Sequence, residues 1–189
     1  MVTIVSGLPR SGTSLLMQML AAGGLPVMTD GKRAADDDNP RGYFELEAIK
    51  QTRRDASWLK AADGKAVKVV SHLLFDLPVD CSYQVVFVLR PIPEILASQK
   101  AMLKRHGLTG AEVEPEKLAA AYEEHLEEVR MWLAAQSHFR VLYLPYGDVI
   151  RDPAAAAAQV STFLGSRLDR DAMARVVDPA LYRQRSTDS

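Results

Sequence analysis

The 189-residue chain holds a single cysteine, Cys81, so no disulfide can close within it, and nothing in its composition points to an oxidising compartment. Charge of one sign is also missing: 23 Lys and Arg oppose 24 Asp and Glu, for a formal net charge of −1. A broad nucleic-acid footprint needs a basic excess, so no nucleic-acid partner is expected and any anion site must be local. No apolar run reaches the roughly 20 residues that a bilayer crossing needs, and no membrane span is expected. The opening residues lack the basic region and apolar stretch of a signal peptide, and the expected compartment is cytoplasmic. Internal repeats and long linkers are absent too, so residues 1–189 read as one domain. What remains is ordinary globular material, 48% hydrophobic and 25% charged.

The β-branched run Val2–Val5 leads into Ser6-Gly7-Leu8-Pro9 and predicts a short buried strand followed by a turn. Thr13–Ala22 is helix-forming and apolar on nearly every side, and Gly23-Gly24 stops it. Thr29–Gly42, with Asp36, Asp37 and Asp38, reads as a mobile polar loop, and a helix is expected from Glu45 to about Ala61. Val67–Val70 predicts a second strand. Val85–Leu89 is five apolar residues without alternation, as in a strand covered on both faces. Helices are expected over Pro93–Arg105 and Pro115–Gln136, a strand over Val141–Leu144, and a helix opened by Asp152-Pro153 and closed by Gly165. A last helix covers Asp169–Val177. Strands alternating with helices imply right-handed crossovers and an α/β fold, a three-layer sandwich around a central parallel sheet. Ligands in such folds sit at the carboxyl ends of the strands, here the loops after Val5, Val70 and Leu89.

The first of those loops, Gly7-Leu8-Pro9-Arg10-Ser11-Gly12-Thr13-Ser14, has the spacing of a Walker A motif with Thr13 where its lysine belongs. Glycines let the backbone N–H groups turn inward, and the following helix N-terminus adds partial positive charge. Arg10 offers a planar fork for a tetrahedral oxyanion, and Thr13 and Ser14 offer hydroxyls. The plain alternative is a tight strand-to-helix turn with a surface arginine. Loss of the lysine matters, because in nucleoside triphosphatases it reaches the β- and γ-phosphates while the next Ser or Thr holds Mg²⁺. No apolar strand ends in a metal-holding aspartate, and the strongest one ends in Arg90. The expected site holds its anion with cations and hydrogen bonds, with no metal ligand assigned. Arg90, at that strand end, and Ser98, in the next helix, can converge beside the cradle to give a phosphate a charged fork and a hydroxyl. Alternatively, Arg90 caps the sheet and Ser98 is solvated.

Taken together these segments resemble the sulfotransferases that use 3′-phosphoadenosine 5′-phosphosulfate (PAPS). The cradle resembles the family's 5′-phosphosulfate loop, and Arg90 with Ser98 eight residues on resembles its 3′-phosphate motif. Tyr146–Pro153 and the Asn39-Pro40-Arg41-Gly42-Tyr43-Phe44-Glu45 run are similar to stretches in bacterial members. The resemblance implies a P-loop NTPase-like topology and metal-independent in-line transfer of a sulfuryl group from PAPS, as co-substrate, to a hydroxyl or amine of a small-molecule acceptor. It implies that Arg10, Ser11, Gly12, Thr13 and Ser14 hold the 5′-phosphosulfate, with Arg10 also acting catalytically, and that Arg90 and Ser98 hold the 3′-phosphate.

Two residues compete as general base. His72 follows the second strand where cytosolic members carry a catalytic histidine in a Lys-Thr-His pattern; here it reads Val70-Ser71-His72, and Lys68 lies two residues before that lysine's position. Glu45 closes the Asn-Pro-Arg-Gly-Tyr-Phe-Glu run, and other branches of the family use carboxylate bases. Each has a bland reading: a strand-end histidine bonded to backbone, and a first-turn acid complementing its helix dipole. Leu15 stands where cytosolic members stack a tryptophan on adenine, with Trp58 or the 29–44 loop as substitutes. Arg183 and Arg185 read as a solvated tail, or else replace a missing glycine-rich segment. The other functional classes in play are a degenerate P-loop kinase and a non-catalytic nucleotide-binding module. The acceptor and the oligomeric state leave no signature in the sequence.

Overall fold

The computed structural model describes residues 1–36, 39, 42–108, 114–165 and 167–182. The readings of Asp37, Asp38, Pro40, Arg41, Arg183 and Arg185 fall outside them. Along the chain come β1 (Val2–Gly7), α1 (Thr13–Ala22), β2 (Val27–Met28), a 3-10 turn at Glu47–Gln51, and α2 (Leu59–Ala62). Next are β3 (Ala66–Lys68), a 3-10 segment at Ser71–Asp76, β4 (Tyr83–Leu89), α3 (Ile92–Arg105) and α4 (Pro115–Ala135). The chain continues through β5 (Phe139–Pro145), α5 (Tyr146–Arg151), α6 (Pro153–Leu164) and α7 (Arg170–Arg175) to a 3-10 turn at Pro179–Leu181.

The strands form one five-stranded sheet in the order β2-β3-β1-β4-β5, every neighbour parallel. The period-2 geometry of a strand divides each apolar run between two cores. Ile4, Val67, Val85 and Phe87 face a core completed by Trp58, Leu59, Leu74, Val129 and Leu133. Val5, Val86, Val88 and Leu144 face another, filled by Leu16, Met17 and Leu20 of α1 together with Val149, Val160 and Met173. The three-layer α/β sandwich anticipated from the sequence is therefore the architecture. After β1 the chain leaves to build β2 and β3 on one side, then crosses to β4 and β5 on the other. That reversal opens a crevice at the carboxyl ends of β1 and β4, the place where α/β sheets bind ligands. Among the described residues no helix is long and apolar enough to cross a membrane.

Differences from the sequence reading are local. The helix expected over 45–61 is a 3-10 turn, a stretch of turns and the four-residue α2. The Thr52 hydroxyl donates to the Ile49 carbonyl at 2.6 Å and accepts from the Trp58 indole N–H at 3.0 Å, while the Asp55 carboxylate accepts from the Ser57 amide at 2.9 Å. Such side-chain bonds offer the backbone an alternative to the helix ladder. The Thr29–Gly42 loop, expected to be mobile, is tied down where it is described. The Thr29 hydroxyl donates to the Glu45 carbonyl at 2.9 Å, and Asp36 bridges to Asn39. His72 falls in a 3-10 segment and Tyr146 opens α5, two elements the apolar pattern did not reveal.

Candidate active site

The cradle begins where β1 ends in Gly7. The turn needs positive φ at Gly7 (φ 151°), Arg10 (φ 70°) and Gly12 (φ 106°). Arginine bears that conformation at a cost, and here its surroundings impose it. The Arg90 guanidinium, held at the end of β4, donates from Nη1 to the Arg10 carbonyl at 3.0 Å. Gly12 is required twice over: a Cβ there would collide with the Tyr146 ring. Arg90 is itself pinned. Its Nε donates to Glu94 Oε2 at 2.9 Å one turn into α3, its guanidinium lies over the rings of Tyr146 and Tyr182, and the Tyr182 hydroxyl donates to Glu94 Oε1 at 2.6 Å. Burial and Glu94 push the Tyr182 hydroxyl up to about 12, so it stays a donor.

Arg10 Nε donates to the buried Ser98 Oγ at 3.1 Å, so the arginine of the first motif touches the serine of the second across 88 residues of chain. Burial, reinforced by the like charges of Arg105, Arg90 and Arg33, draws the Arg10 guanidinium below its ordinary pKa. Burial is the larger cause, and the neighbouring cations add to it.

Strand β3 supplies a residue that the sequence reading left outside. Lys68, paired in register with Val5 of β1, is buried and carries its ammonium to the mouth of the cradle. There it donates to the Tyr43 carbonyl and to Ser14 Oγ at 3.4 Å, and Glu45 Oε1 lies 3.6 Å away. Burial lowers its pKa to about 8, with Arg33 and Arg10 pulling the same way and Glu45 opposing. Ser14 Oγ in turn donates to the Tyr43 carbonyl at 3.3 Å. Glu45 also takes a bond from Arg33 Nη1 at 3.1 Å, and that guanidinium stacks 3.4 Å from the centre of the Tyr43 ring. The Tyr43 hydroxyl donates to Asp36 at 2.7 Å. Arg33, Asn39, Tyr43 and Glu45 thus close one side of the crevice.

These groups line a cavity of about 340 Å³, within the range that binds small molecules. Of the residues singled out from sequence, Arg10, Gly12, Thr13, Ser14, Glu45, Arg90 and Ser98 line it. Ser11 lies buried beneath the turn, and its amide donates to the Leu8 carbonyl at 3.1 Å. His72 is exposed in its 3-10 segment and is not among the lining residues. Trp58 is buried in the core on the other side of the sheet, so it does not substitute for an adenine-stacking tryptophan, whereas Leu15 is on the cavity wall. Lys68, which the sequence places two residues short of the family lysine's position, reaches the cavity, and Tyr43, Arg33, Arg105 and Tyr146 line it without having been assigned a role. Lys68 did carry a signal: a lysine inside an otherwise apolar buried strand needs a polar destination.

A parallel sheet with its glycine turn after the first strand, and two arginine-bearing loops meeting at the switch point, define a P-loop-like α/β fold. The chain belongs to the sulfotransferase domain family, whose pattern it matches over residues 2–188. Solved structures agree on the fold. A sulfotransferase domain from the curacin biosynthetic pathway is similar at 14% identity and a TM-score of 0.54, covering 100% of this chain and 92% of that one. A sulfotransferase from Mycobacterium tuberculosis H37Rv is similar at 19% identity and a TM-score of 0.57, covering 96% of this chain and 73% of that one. Retinol dehydratase, solved with retinol and PAP (adenosine 3′,5′-bisphosphate), is similar at 17% identity and a TM-score of 0.54, covering 93% of this chain and 63% of that one. Family and fold together support sulfuryl transfer.

Proposed function

We propose that this protein transfers the sulfuryl group of PAPS to a hydroxyl or amine of a small-molecule acceptor. One observation carries the reading: Arg10 and Ser98 bond to each other while Arg90 grips the Arg10 carbonyl, and all three open on the same cavity. A mononucleotide with a second phosphate on its ribose requires two cationic ends joined in one site. The residues present suit it. The cradle's amides, with Gly12, Thr13 and Ser14, face the 5′ end, and Arg90 with Ser98 faces the 3′ phosphate. Arg10 spans the two and stabilises charge on the departing phosphate oxygen. Ser11, buried under the turn with its amide bonded to the Leu8 carbonyl, shapes the cradle.

For the transfer to balance, the acceptor's oxygen or nitrogen bonds to sulfur as the bond from sulfur to the 5′-phosphate oxygen breaks, and that oxygen keeps the electron pair. The acceptor's proton needs a base inside the cavity. Glu45 is there and oriented by Arg33 and Lys68; His72 is exposed and off the lining. Glu45 is therefore the base in this reading.

Calorimetric titration of Arg90→Ala tests the assignment. Affinity for adenosine 3′,5′-bisphosphate should fall at least tenfold more than affinity for ADP. Equal losses for the two ligands would remove the 3′-phosphate role. Stabilisation by Mg-ATP with none by the bisphosphate would move the protein to the kinase reading.

A further inference from the structure

The segment around the 3-10 turn Pro179–Leu181 comes from far along the chain, yet it packs at the end of β4. Asp178 and Leu181 line the same cavity as Arg90. Tyr182 carries its hydroxyl to Glu94 Oε1 at 2.6 Å, across 88 residues of sequence. Glu94 is buried on α3, and its other oxygen accepts from Arg90 Nε at 2.9 Å. The two oxygens of one buried carboxylate thus take donors from two different residues. The rings of Tyr146 and Tyr182 meet edge to face at 5.2 Å, and the Arg90 guanidinium lies 4.8 Å from the first and 5.3 Å from the second. Arginine and carboxylate side chains this close favour a two-point pair, with parallel N–H···O bonds across the guanidinium fork. That pair would draw on donors that Arg90 uses elsewhere: its Nη1 grips the Arg10 carbonyl at 3.0 Å. The Tyr182 hydroxyl is bonded to the oxygen that a second point would need.

We propose that Tyr182 is a positioning residue for the nucleotide's 3′-phosphate: it holds Glu94 to one point of the Arg90 guanidinium and so keeps the rest of that guanidinium directed at the cradle and the cavity. The inference rests on the 3′-phosphate role given to Arg90 above and adds the residue that sets selectivity for a phosphate on the ribose. Without the hydroxyl, a buried carboxylate oxygen loses a donor, which is costly. The nearest remedy is Arg90 itself. Glu94 would close further onto the guanidinium and withdraw it from an incoming phosphate. Tyr182→Phe keeps the ring beside Arg90 and removes only the hydroxyl, so the cation–π contact stays in place while the hold on Glu94 is lost.

Adenosine 3′,5′-bisphosphate and AMP differ only by the 3′-phosphate, so calorimetric titration of both against Tyr182→Phe isolates the effect. Affinity for the bisphosphate should fall by about tenfold or more, and affinity for AMP by less than about threefold. Retained AMP binding also reports that the variant is folded. Equal losses for the two ligands, or no loss for either, would overturn the inference while leaving the sulfotransferase reading in place. In a Glu94→Gln background the competing charge is gone, and adding Tyr182→Phe should weaken the bisphosphate by less than about threefold more. A full tenfold loss persisting there would overturn the route through Glu94. If the wild-type chain binds the bisphosphate no more tightly than AMP, the 3′-phosphate reading fails and the inference falls with it.

Discussion

At the scale of single residues, cations of the site share carboxylates. Arg90 shares Glu94 with Tyr182, and Lys68 shares Glu45 with Arg33. Lys68 makes a pH prediction with a definite sign. Its ordinary pKa of about 10.4 applies to the unfolded chain, and its folded value is about 8. Between those values the unfolded state binds more protons, so this lysine makes stability rise with pH. The melting temperature of wild type relative to Lys68→Met should therefore climb from pH 7.5 to pH 10 in the ligand-free protein. A difference that stays flat or falls contradicts a depressed Lys68. Glu45→Gln should lower transfer to the best acceptor of a hydroxyl and amine panel by 10²–10⁴-fold, the usual worth of a general base, whereas His72→Ala should stay within about threefold of wild type. Gly12→Ala combines a left-handed backbone with a collision against Tyr146. It should cost about 2–4 kcal/mol in chemical denaturation, and loss below 1 kcal/mol would show that the turn is softer than this geometry requires.

At the scale of elements, each loop in the crevice is aimed by the strand before it and the helix after it. β4 delivers Arg90, and α3 starts at once and turns Glu94 and Ser98 inward, four and eight residues on and so about one and two turns further along. β5 runs directly into α5, which places Tyr146 against Gly12 and under Arg90. α6 backs that arrangement with a well-formed start. The Asp152 carboxylate accepts from the Ala155 amide at 2.9 Å, Pro153 occupies the first turn, and Gly165 ends the helix in left-handed backbone. Asp152→Ala should cost about 1 kcal/mol, read as a lowered melting temperature with nucleotide affinity unchanged. Reduced affinity at equal stability would mean that α6 tunes the site instead of merely supporting it.

At the scale of the whole molecule, a ligand that bridges the two halves of the sheet couples site occupancy to global stability. Adenosine 3′,5′-bisphosphate at 100 times its Kd should add about 2.7 kcal/mol, which for a chain of this size raises the melting temperature by about 5–10 °C. The shift should appear without added Mg²⁺. Its absence at millimolar ligand would contradict a nucleotide site that spans β1 and β4.

Sequence alone determined the layered α/β frame and the pieces of the crevice closest to a chain-local signal. Val2–Val5 and Val85–Leu89 read as buried strands because hydrophobic patterning is local, and Gly7 to Ser14 reads as a cradle because turn chemistry is local too. The Asp152-Pro153 cap and the Gly165 stop were legible for the same reason. Only the tertiary structure decided which cations share a cavity. Lys68 and Ser14 are 54 residues apart, and Arg10 and Ser98 are 88 apart. Their meeting depends on β3 and β4 flanking β1 in parallel register, which no short window of residues encodes. The same long-range packing set His72 on the surface and Trp58 in the far core, and it brought Tyr43, Arg33 and Glu45 to the site. Burial and distance are properties of the folded sheet, so the chemistry of the site became readable only once the strands were in order.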